Sequence, residues 1–377
     1  MKAVKEWRGR RLFVVTALAM VVVLAVAVGG AVAREGNTSG TSAGPLAGKK
    51  VLAIPYWLDN FGIAYTHWLS EDIKAAGGDT TVINANAVSS RQLDAINNAV
   101  NTGQYSGIIW EPIDETAAAT TIKAIQTAKI AQVVFQGVPQ GKWSAPIVSL
   151  DEHHSLTASG VIAAKYLKTH PQLGSVPLAV FMGVYPQNAN CVLRMKSFLN
   201  GLRSVTPSAK VVYFGAAKNQ ADATRLMSDF INKHQKFNVT SGCGSASTLG
   251  VVAALNAAGL GKAHAVGTDN KVPEHVFITT QDGTPPELQY LWNKNSAVMV
   301  SSLLPAKDGA KATVPIMIRL LSGDLPLDSN LVVQFGWKPM SPNCKQYRPQ
   351  VLSQFAGVPN FSVPKCSFTY TGPLKGA

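Results

Sequence analysis

Several side chains that can exchange hydrogen bonds with a ligand fall directly after predicted strands. Asp269 ends the short strand of "AVGTDN", residues 265–270, where Gly267 allows a turn. A carboxylate in that place can be a catalytic acid, a turn cap or an acceptor for a bound ligand. Arg194 begins a predicted helix and offers a planar fork of donors, while Glu111 follows the apolar run "GIIW". Because no nucleophile stands beside a base, these groups suit the capture of a polar molecule better than a reaction.

Aromatic side chains are mixed with these polar groups at the predicted strand ends. An aromatic face suits the C–H side of a sugar-like ring, because apolar burial and ring electrostatics both favour that contact. We expect ligand contacts from Tyr56, Trp57, Asp59, Phe61, Trp110, Glu111, Gln136, Arg194, Ser245 and Asp269. The alternatives are core packing for the aromatic residues, a solvated helix position for Arg194, and a capping role for Glu111 and Asp269.

The elements that must position these residues alternate regularly between strand and helix. The strand "KVLAIPY" leads to a helix over "FGIAYTHWLSEDIKAAG", and the same rhythm starts again after residue 150. Such alternation predicts an α/β protein with two doubly wound parallel-sheet domains, each carrying helices on both faces of its sheet. Ligands bind outside the carboxyl ends of parallel strands, so we expect the site in a cleft between the two domains.

The beginning of the chain has the composition of an export leader. A basic start precedes the apolar run of residues 12–33, which ends in "AVA", a small-x-small cleavage pattern. The run is also long enough to span a bilayer, so an uncleaved anchor is the alternative. Residues 34–48 are small and polar and are predicted to be a linker. Both readings place the rest of the chain in the periplasm or on the extracellular face of the membrane.

The basic charge lies at the two ends of the sequence. Of the formal net charge of +13, residues 1–33 supply +4 and the acid-free residues 338–377 supply +5, which leaves +4 for the middle. Because no basic stripe with interleaved aromatic residues appears within the predicted fold, we expect no nucleic-acid partner. The tail, residues 341–377, is basic and rich in proline.

The four cysteines suit an oxidising compartment. Cys191, Cys243, Cys344 and Cys366 form no C-x-x-C motif, so two disulfides are favoured over a metal site. Pairing in sequence order, Cys191 with Cys243 and Cys344 with Cys366, is one of three possible connectivities. Two buried free thiols at the first pair are the alternative.

Motifs for enzyme and cofactor chemistry are absent from the sequence. No G-x-S-x-G elbow is present, and "GVPQGK" has too few residues between its glycines for a phosphate-binding loop. No glycine-rich dinucleotide turn follows the first strand. We therefore expect a protein that is not an enzyme and that needs neither a cofactor nor a metal.

Residues 49–335 resemble the type I periplasmic solute-binding proteins, in the branch of the ribose-binding receptors of ABC importers. The resemblance depends on an ordered set of landmarks. They are "LDNFG", "GIIWEPIDETAA", "SLDEHHSLTASGVIAAKYL", "RMKSFLNGL", "SASTLGVVAALNAAG" and "AVGTDN". It implies two lobes joined by a three-segment hinge near residues 150–155, 280–290 and 325–335, and closure of the lobes on a ligand. The family's cytoplasmic relatives are repressors, which the leader excludes.

The resemblance also implies limits for the lobes and roles for particular residues. The first lobe would comprise residues 49–151 and about 289–325, and the second 152–288 and about 326–340, with 341–377 as an extension. Asp269 matches a strand-end Asp that accepts hydrogen bonds from sugar hydroxyls, Arg194 a ligand-contacting Arg, and Phe61 an aromatic residue that lies against the sugar ring. Trp292 lies near the family's last contact position.

Three positions depart from the family's pattern. Gly244–Ser245 stands where the family has Asn-Asp, Gln136 where it has Asp, and Gly62 where it has a second stacking aromatic residue. A simple pentose or hexose is thereby less favoured than a modified sugar, a polyol or another polar metabolite. The resemblance implies a monomer that captures such a ligand and delivers it to an ABC permease. A membrane-tethered sensor domain with the same cleft is the alternative.

Overall fold

The computed structural model describes residues 44–137, 139–184, 189–359, 361–366, 368, 370–372 and 374, apart from the side chains of residues 152, 153 and 155. The expected leader at residues 1–33 and most of the linker at 34–48 lie outside this part. Within it, no helix combines the length and the apolar character needed to cross a bilayer. The whole of this part belongs to one compact unit, Ser42–Ala377.

The first lobe is built on a six-stranded, all-parallel sheet. Its strands are β1 (Lys50–Ile54), β2 (Asp79–Val82), β3 (Gly107–Trp110), β4 (Ala131–Phe135), β5 (Ile147–Leu150) and β13 (Val332–Phe335), in the order β13-β5-β4-β3-β1-β2. The central strands are buried on both faces, as their continuous apolar runs predict. Its helices are α1 (Asn60–Ala75), α2 (Ser89–Thr102), α3 (Glu115–Thr127) and α9 (Ala306–Ser322).

The second lobe repeats this architecture. Its strands are β6 (Leu178–Val184), β7 (Lys210–Ala217), β8 (Val239–Gly242), β11 (Phe277–Asp282), β12 (Val298–Leu303) and β14 (Lys338–Met340), in the order β14-β12-β11-β8-β6-β7. Only β14 runs antiparallel to its neighbour among these six described strands. The helices are α4 (Glu152–Thr169), α5 (Ala189–Val205), α6 (Gln220–Asn232), α7 (Ser245–Ala257) and α8 (Pro285–Leu291).

A two-stranded hairpin and a C-terminal helix are additional to the two six-stranded sheets and their helices. The strands β9 (Ala263–Val266) and β10 (Asn270–Pro273) form an antiparallel hairpin. The C-terminal helix α10 (Cys344–Phe355) packs against α9. Both expected disulfides are present, Cys191–Cys243 and Cys344–Cys366, so the prediction of two bridges in sequence order is confirmed.

The chain passes between the lobes at points that differ in part from the expected ones. The first crossing follows Leu150, the second lies between Leu303 and Ala306 instead of near 280–290, and the third lies between Phe335 and Lys338 instead of near 325–335. Residues 298–303 were expected in the first lobe, yet they pair with β11 in the second sheet. Residues 332–335 were expected in the second lobe, yet they pair with β5 in the first. An alternating pattern is local, so it does not reveal which sheet a strand joins.

Candidate functional site

The carboxyl ends of the two sheets face a common cleft. A cavity of about 70 Å³ lies there, between the loops that follow β1, β3 and β4 and those that follow β6, β8, β11 and β12. Its walls are Pro55, Tyr56, Trp57, Asp59, Phe61, Gly62, Tyr65, Glu111, Gln136, Val184, Asn190, Arg194, Cys243, Gly244, Asp282 and Leu304. This is the edge at which open α/β sheets place their ligands.

Asp59 lies at the start of α1 and is half-buried in the cleft. Its Oδ1 accepts a hydrogen bond from the backbone N–H of Gly62 at 2.9 Å, which caps the helix. Burial raises the pKa of this carboxyl, while backbone hydrogen bonds from Gly62 and Phe61 and the positive charge of Arg194 act in the opposite direction. One carboxylate therefore serves both as a helix cap and as an acceptor on the cleft wall.

Glu111 follows β3 and is held by the adjacent backbone. Its Oε2 accepts from the backbone N–H of Tyr56 at 3.2 Å, and its own carbonyl accepts from Gln92 Nε2 at 2.7 Å. Burial raises the pKa of the Tyr56 hydroxyl, and the charges of Glu111 and Glu115 raise it further. The Tyr56 hydroxyl thus stays protonated and can donate a hydrogen bond.

Aromatic rings form the apolar part of the first-lobe wall. Tyr65 stacks on Phe135 with ring centroids 3.8 Å apart, and Phe61 lies 6.0 Å from Tyr65 in a nearly parallel plane. The Tyr65 hydroxyl is bonded to Thr313 Oγ1 at 3.1 Å, which fixes the ring. Rings held in this way can pack against the apolar face of a ligand without losing much side-chain entropy.

Arg194 projects from α5 and is a largely buried residue of the second-lobe wall. Its Nη1 donates to the carbonyl of Cys243, and its guanidinium lies 5.1 Å from the ring centroid of Trp337 at the hinge. The disulfide Cys191–Cys243 ties the first turn of α5 to the loop after β8. The arginine is thus held by contacts to both the second lobe and the hinge.

Gln136 connects the lobes and carries an unmatched donor. Its backbone carbonyl accepts from Asn190 Nδ2 at 2.9 Å, although the two residues belong to different lobes. Its φ of +61° places it in the left-handed region, which a non-glycine residue adopts only under constraint. The residue is 5% exposed, and Nε2 has no hydrogen-bond partner among the described residues. An unpaired buried donor on a cavity wall is suited to a ligand acceptor.

Asp282 is the charged residue of the described wall that the sequence analysis did not predict. It ends β11, is 4% exposed, and its Oδ2 accepts from the backbone N–H of Ser245 at 2.7 Å. The sequence analysis singled out neither Asp282 nor the glycine that follows it. The signal that could have found Asp282 is an acid after a buried strand and before a glycine turn.

Asp269, in contrast, lies away from the cleft, so its predicted position at the site is wrong. It stands in the exposed turn of the β9–β10 hairpin, where Gly267 adopts a φ of +65°. Its carbonyl accepts from the backbone N–H of Thr371 at 2.8 Å, and its carboxylate accepts from the Thr371 hydroxyl. The short strand before it turns back on itself instead of joining the second sheet.

Three other expected contacts are also not on the cavity wall. Trp110 is 2% exposed in the first-lobe core, where its Nε1 donates to Gln132 Oε1 at 3.3 Å. Trp292 is 1% exposed in the core. Ser245 is buried behind Gly244 and bonds Thr284 Oγ1 at 3.0 Å. The structure brings together the other predicted residues, Tyr56, Trp57, Asp59, Phe61, Glu111, Gln136 and Arg194.

No group of three or more metal-ligating side chains occurs in the described ranges. Burial raises the pKa of Glu287, behind the wall, well above its ordinary value, and the charge of Asp282 adds to this effect. Nothing in this arrangement places a nucleophile beside a base. The chemistry of the wall is that of hydrogen bonding and ring contact.

Comparison with known proteins agrees with this geometry. The family model of the periplasmic binding protein domain matches residues 55–325. An ABC-transporter solute-binding protein from Bacillus halodurans with bound myo-inositol is 17% identical, covers 81% of this chain and 98% of its own, and superposes with a TM-score of 0.65. The arabinose-binding component from Shewanella, bound to L-arabinofuranose, is 17% identical and superposes with a TM-score of 0.67. The match covers 84% of this chain and 100% of the Shewanella chain.

A third structure, from Mycobacterium smegmatis in complex with β-D-fucofuranose, is 14% identical, covers 84% of this chain and 100% of its own, and gives a TM-score of 0.67. At these identities the likeness shows the fold. No curated protein matches the sequence. The matching family and the first two structures are binding proteins and not enzymes, and the comparisons give no support to the sensor alternative. A periplasmic family also implies an extracytoplasmic location.

Proposed function

Because the chain belongs to the periplasmic binding protein family, we propose that it captures a sugar or a sugar-like polyol between its lobes and delivers it to the permease of an ABC importer. The observation that carries this proposal is the wall itself. Carboxylates of Asp59 and Glu111, the unmatched amide of Gln136 and the ring of Phe61 surround one cavity. The hydroxyl groups of a polyol can donate to the two carboxylates and accept from the Gln136 amide, and its ring C–H groups can pack against Phe61.

The charges of the wall narrow the class of ligand. Asp59, Glu111 and Asp282 contribute three carboxylates, and Arg194 contributes one guanidinium, among the described wall residues. An anionic ligand in this cavity would be repelled by these carboxylates, and the repulsion is strong because the dielectric constant of a buried site is low. A neutral ligand that donates many hydrogen bonds fits best. Sugar acids and sugar phosphates are therefore expected to bind poorly.

Both lobes contribute to the wall, so the ligand would be enclosed by rotation about the hinge. The Gln136 carbonyl and Asn190 Nδ2 already join across the cleft. Hydrogen bonds from both lobes to one ligand favour the closed arrangement over an open one. A permease could then distinguish the closed, loaded protein from the open one, as the proposed importer role requires.

Thermal unfolding of residues 44–377 against a ligand panel tests the proposal. The panel compares neutral polyols and sugars, such as myo-inositol, arabinose and allose, with sugar acids, sugar phosphates and amino acids. A ligand at about 100 times its dissociation constant stabilises the fold by roughly 2.7 kcal/mol. The unfolding midpoint should then rise by several degrees for neutral polyols only.

Matched variants then place the ligand in the cleft. Glu111→Gln retains an oxygen for the Tyr56 N–H but loses the charge, and Gln136→Asn shortens the amide while tolerating the left-handed backbone. Both should reduce the ligand-induced shift, whereas the exposed Asp94→Asn should leave it unchanged. Absence of any polyol shift, or full retention of the shift in both cleft variants, would overturn the proposed function.

A further inference from the structure

The chain passes between the lobes again after its third hinge segment. After β14 of the second sheet, α10 docks on the first lobe. Trp68 Nε1 of α1 donates to the carbonyl of Gln354 at 2.6 Å, and the backbone N–H of Lys307, at the start of α9, donates to Gln354 Oε1 at 2.9 Å. Gln354 is only 6% exposed, so this docking is a buried contact.

The chain then returns to the second lobe. Phe368 and Tyr370 are buried in the same apolar cluster as Tyr166 and Phe277. Burial raises the pKa of Tyr370 to about 12. The backbone N–H of Thr371 donates to the carbonyl of Asp269 on the hairpin at 2.8 Å, and its hydroxyl donates to the Asp269 carboxylate. Phe368, Tyr370 and Thr371 thus fix this segment to the second lobe and are called the second-lobe anchor, and Asp269 is one of the residues to which it binds.

A disulfide joins the start of α10 to the segment that returns to the second lobe. Cys344 begins α10, Cys366 lies just before the second-lobe anchor, and their Cα atoms are 5.6 Å apart. Arg348 Nε also donates to the carbonyl of Pro364 at 3.0 Å. A residue spans at most about 3.6 Å of extended chain. The short links from Met340 to Cys344 and from Cys366 to Phe368 therefore keep the start of α10 close to the second lobe.

We propose that the described part of residues 341–374, here called the strap, ties the two lobes together and limits how far they open. The start of α10 is covalently tethered to the second lobe, while Gln354 near its end is bound to the first. A hinge rotation that separates the start of α10 from the first lobe must break the Gln354 contacts or bend the helix. The strap thus favours the closed arrangement before any ligand arrives.

This restraint has a consequence for binding that rests on the proposed function. The apparent dissociation constant of a ligand equals its intrinsic value divided by the fraction of protein in the competent arrangement. A strap that raises the closed fraction therefore strengthens binding without touching the ligand. Releasing the strap should weaken affinity for the polyol found in the screen, while leaving the ligand preference unchanged.

Small-angle scattering of the ligand-free full-length protein tests the strap directly. Gln354→Ala removes the side-chain acceptor for the Lys307 N–H on the first lobe, and a second strap variant adds Cys344→Ser/Cys366→Ser to it, which also removes the disulfide between the start of α10 and the returning segment. The control is Gln346→Ala, which makes the same side-chain truncation at an exposed position of α10. Circular dichroism verifies that each variant is folded.

An increase in the radius of gyration in either strap variant, with none in the control, is the expected result. If neither folded strap variant differs from the wild-type protein in its scattering, the strap does not limit opening and the proposal is overturned. Because this measurement needs no ligand, it decides the question even if the ligand screen contradicts the proposed function.

Discussion

The Asp282 carboxylate accepts a hydrogen bond from the backbone N–H of Ser245 at 2.7 Å, which joins the end of β11 to the start of α7. Asp282 has a φ of +76° and faces the cleft. A negative charge at the first turn of a helix is stabilised by the aligned peptide dipoles. The same carboxylate therefore positions a helix and offers an acceptor to a ligand.

Replacement of Asp282 by Asn separates these two roles. The amide oxygen can still accept from Ser245, so the free energy of unfolding should change little. Hydrogen bonds from ligand hydroxyls to a carboxylate are stronger than those to a neutral amide. We expect about a tenfold weaker affinity for the polyol identified in the screen, or roughly 1.4 kcal/mol, measured by calorimetry. Unchanged affinity would remove Asp282 from the ligand site.

Glu287 is expected to be a structural acid behind the cleft. Its Oε1 accepts from the backbone N–H of Gln281 at 3.1 Å and from Thr248 Oγ1 at 2.9 Å, and its Oε2 accepts from the backbone N–H of Thr284 at 2.9 Å. Glu287→Gln places an NH₂ donor against one of these donors. The variant should lose about 1–3 kcal/mol of unfolding free energy in urea denaturation.

The exposed Glu274→Gln is the matched control for Glu287→Gln, because it makes the same chemical change at the surface. It should stay within about 0.5 kcal/mol of the wild-type protein. Equal stability of the two variants would show that the buried acceptor network does not depend on the Glu287 carboxylate.

Asp59 should give stability a specific dependence on pH. Burial raises its pKa above the ordinary value of 3.8, so the folded state holds the proton more tightly than the unfolded state. The stabilisation that protonated Asp59 adds to the free energy of unfolding is fully present below pH 3.8. It is lost as the pH rises through the pKa of Asp59 in the folded state. Asp59→Asn retains the helix cap and does not titrate. Relative to that variant, the wild-type protein should lose unfolding free energy as pH increases from about 3.5, as followed by urea titrations.

A constant difference between wild type and Asp59→Asn across that pH range would contradict the raised pKa. An increase of the difference in favour of the wild type with rising pH would show that Arg194 and the backbone donors outweigh burial. The comparison cancels the titration of all other carboxyl groups, since both proteins contain them.

The disulfide Cys191–Cys243 should stabilise the second lobe. The two cysteines are 52 residues apart in sequence, and a closed loop of this size restricts the unfolded chain. The Cys191→Ser/Cys243→Ser variant should lose about 2–4 kcal/mol of unfolding free energy, measured by chemical denaturation. It should also weaken ligand binding, because the bridge holds the loop whose Cys243 carbonyl accepts from Arg194. A loss of stability with unchanged affinity would show that Arg194 is held well enough by Trp337.

Strand and helix alternation, read along the chain, was sufficient to predict two α/β lobes with a cleft at their strand ends. Glu111 and Gln136 line the cavity because each directly follows a central strand, and the parallel direction brings all carboxyl ends to one edge. Trp110 precedes that edge by one residue, and its ring lies in the core.

Other features depended on contacts between residues that are distant in sequence. Whether "AVGTDN" joins a sheet or folds back as a hairpin depends on its strand partner, and the local pattern is compatible with both. The local pattern also does not decide which sheet β12 and β13 join. β12 was expected in the first lobe and pairs in the second, and β13 was expected in the second lobe and pairs in the first. The role of the C-terminal segment depends on where Gln354 and Thr371 dock, and no local pattern encodes those partners.

The amino-acid sequence by itself thus determined the class of fold and the pairing of its four cysteines in two disulfides. Only the tertiary structure decided that Asp282 rather than Asp269 reaches the cleft, and that the tail connects both lobes. The physical reason is that periodicity and composition act over a few residues, whereas strand pairing and docking select among partners far apart in the chain.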